Sequence, residues 1–442
     1  MAANTDPRLQ NQVIYSIYVR NHTSEGTFRA VIPDLDRIRA LGTDIIWLMP
    51  IHPIGVEGKK GTLGCPYANR DYRAVNPAYG TMEDFEALVR EIHARGMKCM
   101  IDVVYNHTSP DSVLYREHPE YFYRGPDGKP GNKLGDWADV IDLDYSNRGL
   151  WQYLTDTLVM WAKLVDGFRC DVASFVPVEF WLQARAAVAD VNPDCVWLAE
   201  TVHRSYGCLA RRHGVYSASD GEVFRAFDLE YEYDVREVFD RYLRGEVPLS
   251  RYLDALNFQE TCYPANYNKL RFLENHDQPR IVSRFGCDRD EASRVRSAKM
   301  LGACLHMMQG TPYIYQGEEL GMTNYPMKSI DESLDVESIN AYHELVEEKH
   351  EMTPEQMSKM VLTKYNDTVN KGESHRIDLF STAPYVIRTD GYDAVEVIFP
   401  GLVPGRKYRV AMGDYVFKNY RGLEYTNGET TQWLVPDVLM EY

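Results

Sequence analysis

Eight short apolar runs alternate with helical segments between residues 13 and 319, and this alternation predicts a (β/α)8 barrel: a closed parallel sheet ringed by helices. Two further observations point the same way. Four of the runs end in stretches that carry carboxylates or histidines, "DVVYNH" (102–107), "GFRCD" (167–171), "LAE" (198–200) and "FLENHD" (272–277). In a barrel the C-terminal strand ends share one face, so groups remote in the chain meet there. The 442 residues also leave room for a second, smaller domain.

The elements follow in order. "VIYSIYV" (13–19) reads as the first strand. "FRAVIPDLDRIRALG" (28–42) places Leu35, Ile38 and Leu41 at helical spacing and stops at Gly42. "DIIWLMPI" (44–51) is the second strand, and residues 81–96 form a helix with Thr81 as its cap. "MKCMIDVVY" (97–105) is the third strand. Residues 106–148 are too long for an ordinary connection and read as a short excursion over the barrel mouth. Helix 149–164, strand 166–172, helix 178–191 and strand 195–200 continue the rhythm. Runs 223–231, 269–277 and 311–319 supply the sixth to eighth strands, with a helix over 291–308. From residue 377 the pattern changes to alternating strand-like runs such as "YVIRT" and "AVEVIF", separated by Gly-containing turns. The expected domains are therefore a barrel over 1–376, including the excursion 106–148, and a β-sandwich-like domain over 377–442.

Composition narrows the function. A formal net charge of −17 argues against general nucleic-acid binding, which needs a basic face. No stretch reaches about 18 uninterrupted apolar residues, so no membrane span is expected. "MAANTDPRLQNQ" does not look like a secretory signal. The eight cysteines form no CxxC pair and read as free thiols, three of them within strands (Cys99, Cys170 and Cys195), in a reducing cytoplasmic setting.

The strand ends carry the chemistry. Side chains alternate along a strand, so Arg169 and Asp171 point the same way, and the guanidinium favours an ionised, nucleophilic carboxylate. Glu200 ends the neighbouring strand, roughly 4.8 Å away. Two carboxylates about 5–5.5 Å apart suit glycoside hydrolysis with retention. Asp277 and His276 end the seventh strand and His107 follows the third, placed to bind hydroxyls of the same sugar ring. Tyr67, in an early barrel loop, offers a stacking platform. Singly, each feature has a structural explanation as salt bridge, cap or packing. Together, at one barrel face, they point to a carbohydrate site.

On these blocks, together with "GTDIIWLMP" (42–50), "VIDLD" (140–144) and "GTPYIYQGEE" (310–319), the sequence resembles glycoside hydrolase family 13, the α-amylase family, over roughly residues 12–340. The resemblance implies Asp171 as nucleophile, Glu200 as acid/base and Asp277 as transition-state stabiliser. It also implies that Arg169, His107 and His276 contact the sugar and that Tyr67 stacks beneath it. Blocks 274–286 and 310–326, and Val172 directly after the nucleophile, resemble the oligo-1,6-glucosidase branch. Ala68, where that branch usually has Asp, and the absence of that branch's usual text after the eighth strand point away from it. The expectation is α-1,4 hydrolysis of α-glucans or malto-oligosaccharides. The alternatives are oligo-1,6-glucosidase or exo-α-glucosidase action and α-glucan transglycosylation; a noncatalytic amylase-like binding subunit ranks below them. No cofactor is required by this reading. Calcium is common in the family, and Asn106 and Asp142 match positions that help ligate it.

Overall fold

The structure is a computed structural model that describes residues 2, 5–59, 63–134, 139–324, 342–351 and 353–354, plus four short strands beyond residue 385. Eight parallel strands close into a barrel: β1 (Ile14–Ile17), β2 (Ile45–Leu48), β3 (Lys98–Val103), β4 (Gly167–Cys170), β5 (Val196–Ala199), β6 (Leu229–Tyr231), β7 (Lys269–Arg271) and β8 (Thr311–Tyr315). Each strand pairs with its sequence neighbours, and β8 returns to β1 through Ile14↔Tyr313. Nearly every strand residue is buried, because one face lines the barrel interior and the other packs on helices.

The interior is filled by aromatic residues. Trp47 of β2, Tyr231 of β6 and Tyr313 of β8 meet there, with Trp47 5.4 Å from Tyr313 and 6.3 Å from Tyr231. The guanidinium of Arg169, on β4, lies 5.1 Å from the Trp47 ring and 5.4 Å from the Tyr231 ring. All four residues come from even-numbered strands, as the layered packing of such a barrel requires.

The helices adjust the sequence expectations in detail. The first helical segment breaks into Phe28–Val31, a 3-10 turn Ile32–Asp34 and α1 (Leu35–Ala40), since Pro33 lacks an N–H to donate to the preceding turn. α2 (Met82–Ala94) starts from Thr81 in a reciprocal capping box with Asp84. α3 (Arg148–Trp161) and α4 (Val178–Ala189) flank β4 as expected. The sixth strand is shorter than 223–231: Ser219 and Glu222 form a capping box that starts a helical turn at Asp220–Val223, and only Leu229–Tyr231 joins the sheet. Between β6 and β7 come α5 (Tyr233–Leu243) and α6 (Leu249–Cys262), and α7 (Glu291–His306) precedes β8.

In the excursion, His107–Thr108 pairs antiparallel with Ile141–Asp142, which returns the chain to the barrel rim. Residues Met1–Asp378 and Leu379–Tyr442 are two compact units. In the second, Val386–Asp390 pairs with Ala394–Ile398 and Val416–Lys418 with Glu424–Thr426, both antiparallel. The sandwich-like arrangement expected over 377–442 rests mainly on residues outside the described set. The same holds for the last barrel helix, apart from a short helical turn at His343–Glu348. All eight cysteines are free, and four, Cys65, Cys99, Cys170 and Cys195, are buried. Among the described residues no helix is long and apolar enough to cross a membrane.

Candidate active site

Arg169 is the hub of the C-terminal barrel face. The register pairs Asp102 of β3 with Arg169 and Cys170 with Ala199 of β5, so Asp171 and Glu200 leave adjacent strands side by side. Arg169 is fully buried and forms ion pairs with three carboxylates. Its Nη1 donates to Asp171 Oδ1 at 2.7 Å and to Asp102 Oδ1 at 3.0 Å, and its Nη2 lies 2.9 Å from Glu200 Oε2. Three buried carboxylates around one guanidinium cannot all ionise cheaply. Burial pushes all three carboxyls above the usual carboxylate range, while Arg169 opposes the shift. Asp102 is pushed up to about 8. Arg169 thus does less than expected from sequence: it orients Asp171, but burial outweighs its pull toward the ionised form.

Glu200 is held from two sides. The Tyr233 hydroxyl donates to Oε1 at 2.9 Å, and the backbone N–H of Val172 donates to Oε2 at 3.0 Å. Val172 has a left-handed backbone with φ 36°, unusual for a β-branched residue. His276 is buried and pushed down to about 3 by burial and by Arg169, so its ring is neutral. Its Nε2 lies 3.2 Å from Asp277 Oδ2, and its ring stacks on Tyr67 at 5.2 Å. Tyr67 donates its hydroxyl to Asp102 at 3.1 Å. The sequence expectation put Asp277 at the end of the seventh strand. β7 ends at Arg271, and Asp277 lies beyond it on a loop, half-buried at the rim. His107 is buried behind Asn106, 3.2 Å from its amide nitrogen, and burial lowers its imidazole pKa. All seven expected site residues therefore lie at one end of the barrel or in the loops that leave it.

The catalytic-domain model of the α-amylase family, described as "Alpha amylase, catalytic domain", matches residues 10–140 and 133–373. The chain belongs to the α-amylase family. It is a glycoside hydrolase, and its chemistry is that of the family's retaining glycosidases and transglycosylases of α-glucosides. An oligo-1,6-glucosidase of Bacillus cereus is 31% identical over 405 residues, which is 77% of this chain and 71% of that protein. A crystal structure of an α-amylase from Lactobacillus plantarum aligns with TM-score 0.69 and 38% identity, covering 95% of this chain and 96% of that one. A trehalose-6-phosphate hydrolase of Bacillus subtilis is 32% identical over 402 residues, 78% of this chain and 70% of that protein.

The calcium candidates of this amylase-family chain fit a divalent cation poorly. Calcium takes six to eight oxygens. Among the described residues no donor reaches the buried Asp142 Oδ1, which favours a cation there. However, Asp142 Oδ2 already accepts the Lys133 N–H at 2.8 Å, and the Lys133 ammonium donates to the Leu143 carbonyl at 3.0 Å. That ammonium brings a positive charge beside the oxygens an ion would need.

Sequence reading missed Asp102, Tyr233 and the turn at Val172. Asp102 looked like strand interior, and its role depends on the β3–β4 register. Tyr233 carried a legible signal, an aromatic residue two positions after Tyr231 at a strand end. Its contact with Glu200 exists only because β5 and β6 are neighbours.

Proposed function

We propose that the chain is a retaining α-glucosidase of short α-linked oligosaccharides, with the α-1,6 bond of isomalto-type substrates as its preferred target. The observation that carries retention is the pair of carboxylates, Asp171 and Glu200, leaving adjacent strands and sharing Arg169. Asp171 attacks the anomeric carbon as nucleophile. Glu200 protonates the departing glycosidic oxygen and then takes a proton from water. Asp277 and His276 bind hydroxyls of the reacting sugar, Arg169 and His107 hold the site around it, and Tyr67 forms its floor.

The linkage assignment rests on the relatives. Curated oligo-1,6-glucosidases recur among them, joined by an α-glucosidase of Pediococcus pentosaceus at 30% identity over 413 residues. These support α-1,6 or exo-α-glucosidase action over the α-1,4 preference expected from sequence, and Val172 agrees with them. One observation favours the second reading, α-1,4 hydrolysis of malto-oligosaccharides. Ala68 is buried beside Tyr67 and offers a methyl group where a carboxylate would clamp the sugar's non-reducing end. The Lactobacillus plantarum likeness also covers nearly the whole chain.

A time-resolved product profile on panose and maltotetraose, with Asp171→Asn as control, decides between them. Glucose and maltose from panose support the α-1,6 reading. Intact α-1,6 bonds in panose, with early maltose from maltotetraose, favour the α-1,4 reading. Products longer than the substrate identify transglycosylation.

A further inference from the structure

The two oxygens of Glu200 are not equivalent. Oε2 faces the Arg169 guanidinium at 2.9 Å and accepts the Val172 N–H at 3.0 Å. The Val172 N–H points at Oε2 and the Arg169 charge lies beside it without an aligned hydrogen bond, which favours negative charge on that oxygen. Oε1 accepts the Tyr233 hydroxyl at 2.9 Å and keeps lone-pair capacity for a proton. Tyr233 is itself locked in place: its ring lies 5.5 Å from Tyr231, 5.5 Å from Phe272 and 5.0 Å from His203. The Val172 N–H reaches Oε2 from a left-handed turn, a strained conformation that the surrounding structure must hold.

We infer that Tyr233 is a positioning residue that holds Glu200 through Oε1 and stabilises the carboxylate formed when Glu200 gives up its proton, while the Val172 N–H and the nearby Arg169 guanidinium favour charge on Oε2. This rests on the acid/base role proposed for Glu200. In the first step a lone pair of Asp171 bonds to the anomeric carbon. The glycosidic C–O bond breaks onto its oxygen, which takes the proton from Glu200. In the second step Glu200 takes a proton from water as the water oxygen bonds to that carbon and Asp171 departs as carboxylate. The Tyr233 hydroxyl stabilises the ionised Glu200 formed between the two steps.

The test uses two substrates on the full-length protein: a disaccharide it cleaves, whose leaving oxygen needs a proton, and α-glucosyl fluoride, whose leaving group does not. Tyr233→Phe keeps the ring and removes the donor. It should lower kcat/KM on the disaccharide about 10- to 100-fold and on the fluoride by less than about threefold. Removing a donor to the carboxylate favours the protonated form, so the alkaline limb of kcat/KM moves to higher pH. Replacing Tyr233 by 3-fluorotyrosine, a stronger donor of the same shape, should move that limb the other way, which keeps the inference testable should the Phe variant fold poorly. The charged and titratable groups facing Glu200 are Arg169 and Asp171 from β4 and the turn after it, Asp102 and His107 from β3 and its loop, His276 beyond β7, and Tyr231 and Tyr233 at the end of β6. All of them remain in both variants except the hydroxyl under test.

Equal losses on both substrates with an unmoved alkaline limb would reduce Tyr233 to packing and overturn the inference. Glu200→Gln separates the two levels. If it keeps disaccharide turnover, the acid/base assignment itself fails. If it loses disaccharide turnover and keeps the first step on the fluoride, while Tyr233→Phe matches wild type, only the Tyr233 inference fails.

Discussion

Asp171 leaves the end of β4, where burial raises its carboxyl pKa and Arg169 pulls it back at a 2.7 Å contact. Asn at 171 keeps the shape and the acceptor oxygen but cannot form the covalent intermediate. Asp171→Asn should therefore lower kcat more than about 10³-fold. Its thermal midpoint should stay near wild type, because the change removes one of three carboxylates crowded on Arg169. Steady-state kinetics and a melting curve check both arms. Turnover near wild type would remove Asp171 from the nucleophile role.

At the element scale, the spacing of β4 and β5 sets the distance between the two carboxylates. Gly167 opens β4, and a Cβ there would lie 2.8 Å from the Val196 carbonyl oxygen of β5 and 3.1 Å from Met100 Cε. Backbone cannot yield as a flexible side chain does. Gly167→Ala should cost about 1–3 kcal/mol of stability and lower kcat by prising the two strands apart. Gly221→Ala is the control: its Cβ meets open space, and its stability should change by less than about 0.5 kcal/mol. Denaturant midpoints and kcat for both variants test the argument, and matching losses would refute it.

For the whole molecule, two predictions concern conditions. Asp102 binds its proton in the folded protein up to about pH 8, whereas an exposed aspartate releases it near about 3.9. Between those values the folded state holds more protons than the unfolded chain, so this group's contribution to stability falls as pH rises through that window. Asn at 102 cannot ionise. The stability of Asp102→Asn relative to wild type should accordingly improve from pH 5 to pH 9, and a constant gap in denaturant midpoints would contradict the assignment. Chelation tests the metal site. With the Lys133 ammonium beside Asp142, EDTA should leave activity and melting temperature unchanged within error; loss of both, restored by calcium, would show that the site takes the ion after all.

The barrel is legible in the sequence because its buried strands are mostly apolar runs alternating with helical segments, even though Asp102, Arg169, Glu230, Lys269 and Arg271 put buried charges on four of them. The sequence also determined which side chains reach the mouth, since Asp171, Glu200, His276 and Asp277 follow strand-like runs and strand ends share a face. Local chemistry set the capped start of α2 at Thr81, while the capping box at Ser219 shortened the sixth strand in a way the apolar run 223–231 concealed. Folding in three dimensions was needed to bring Asp102, Asp171 and Glu200 around one buried guanidinium, to let burial outweigh that charge, and to set Tyr233 and Val172 on opposite oxygens of Glu200. Those are contacts between strands distant in sequence. Their geometry follows from barrel closure and register, and their energies from exclusion of water, neither of which a local run of residues encodes.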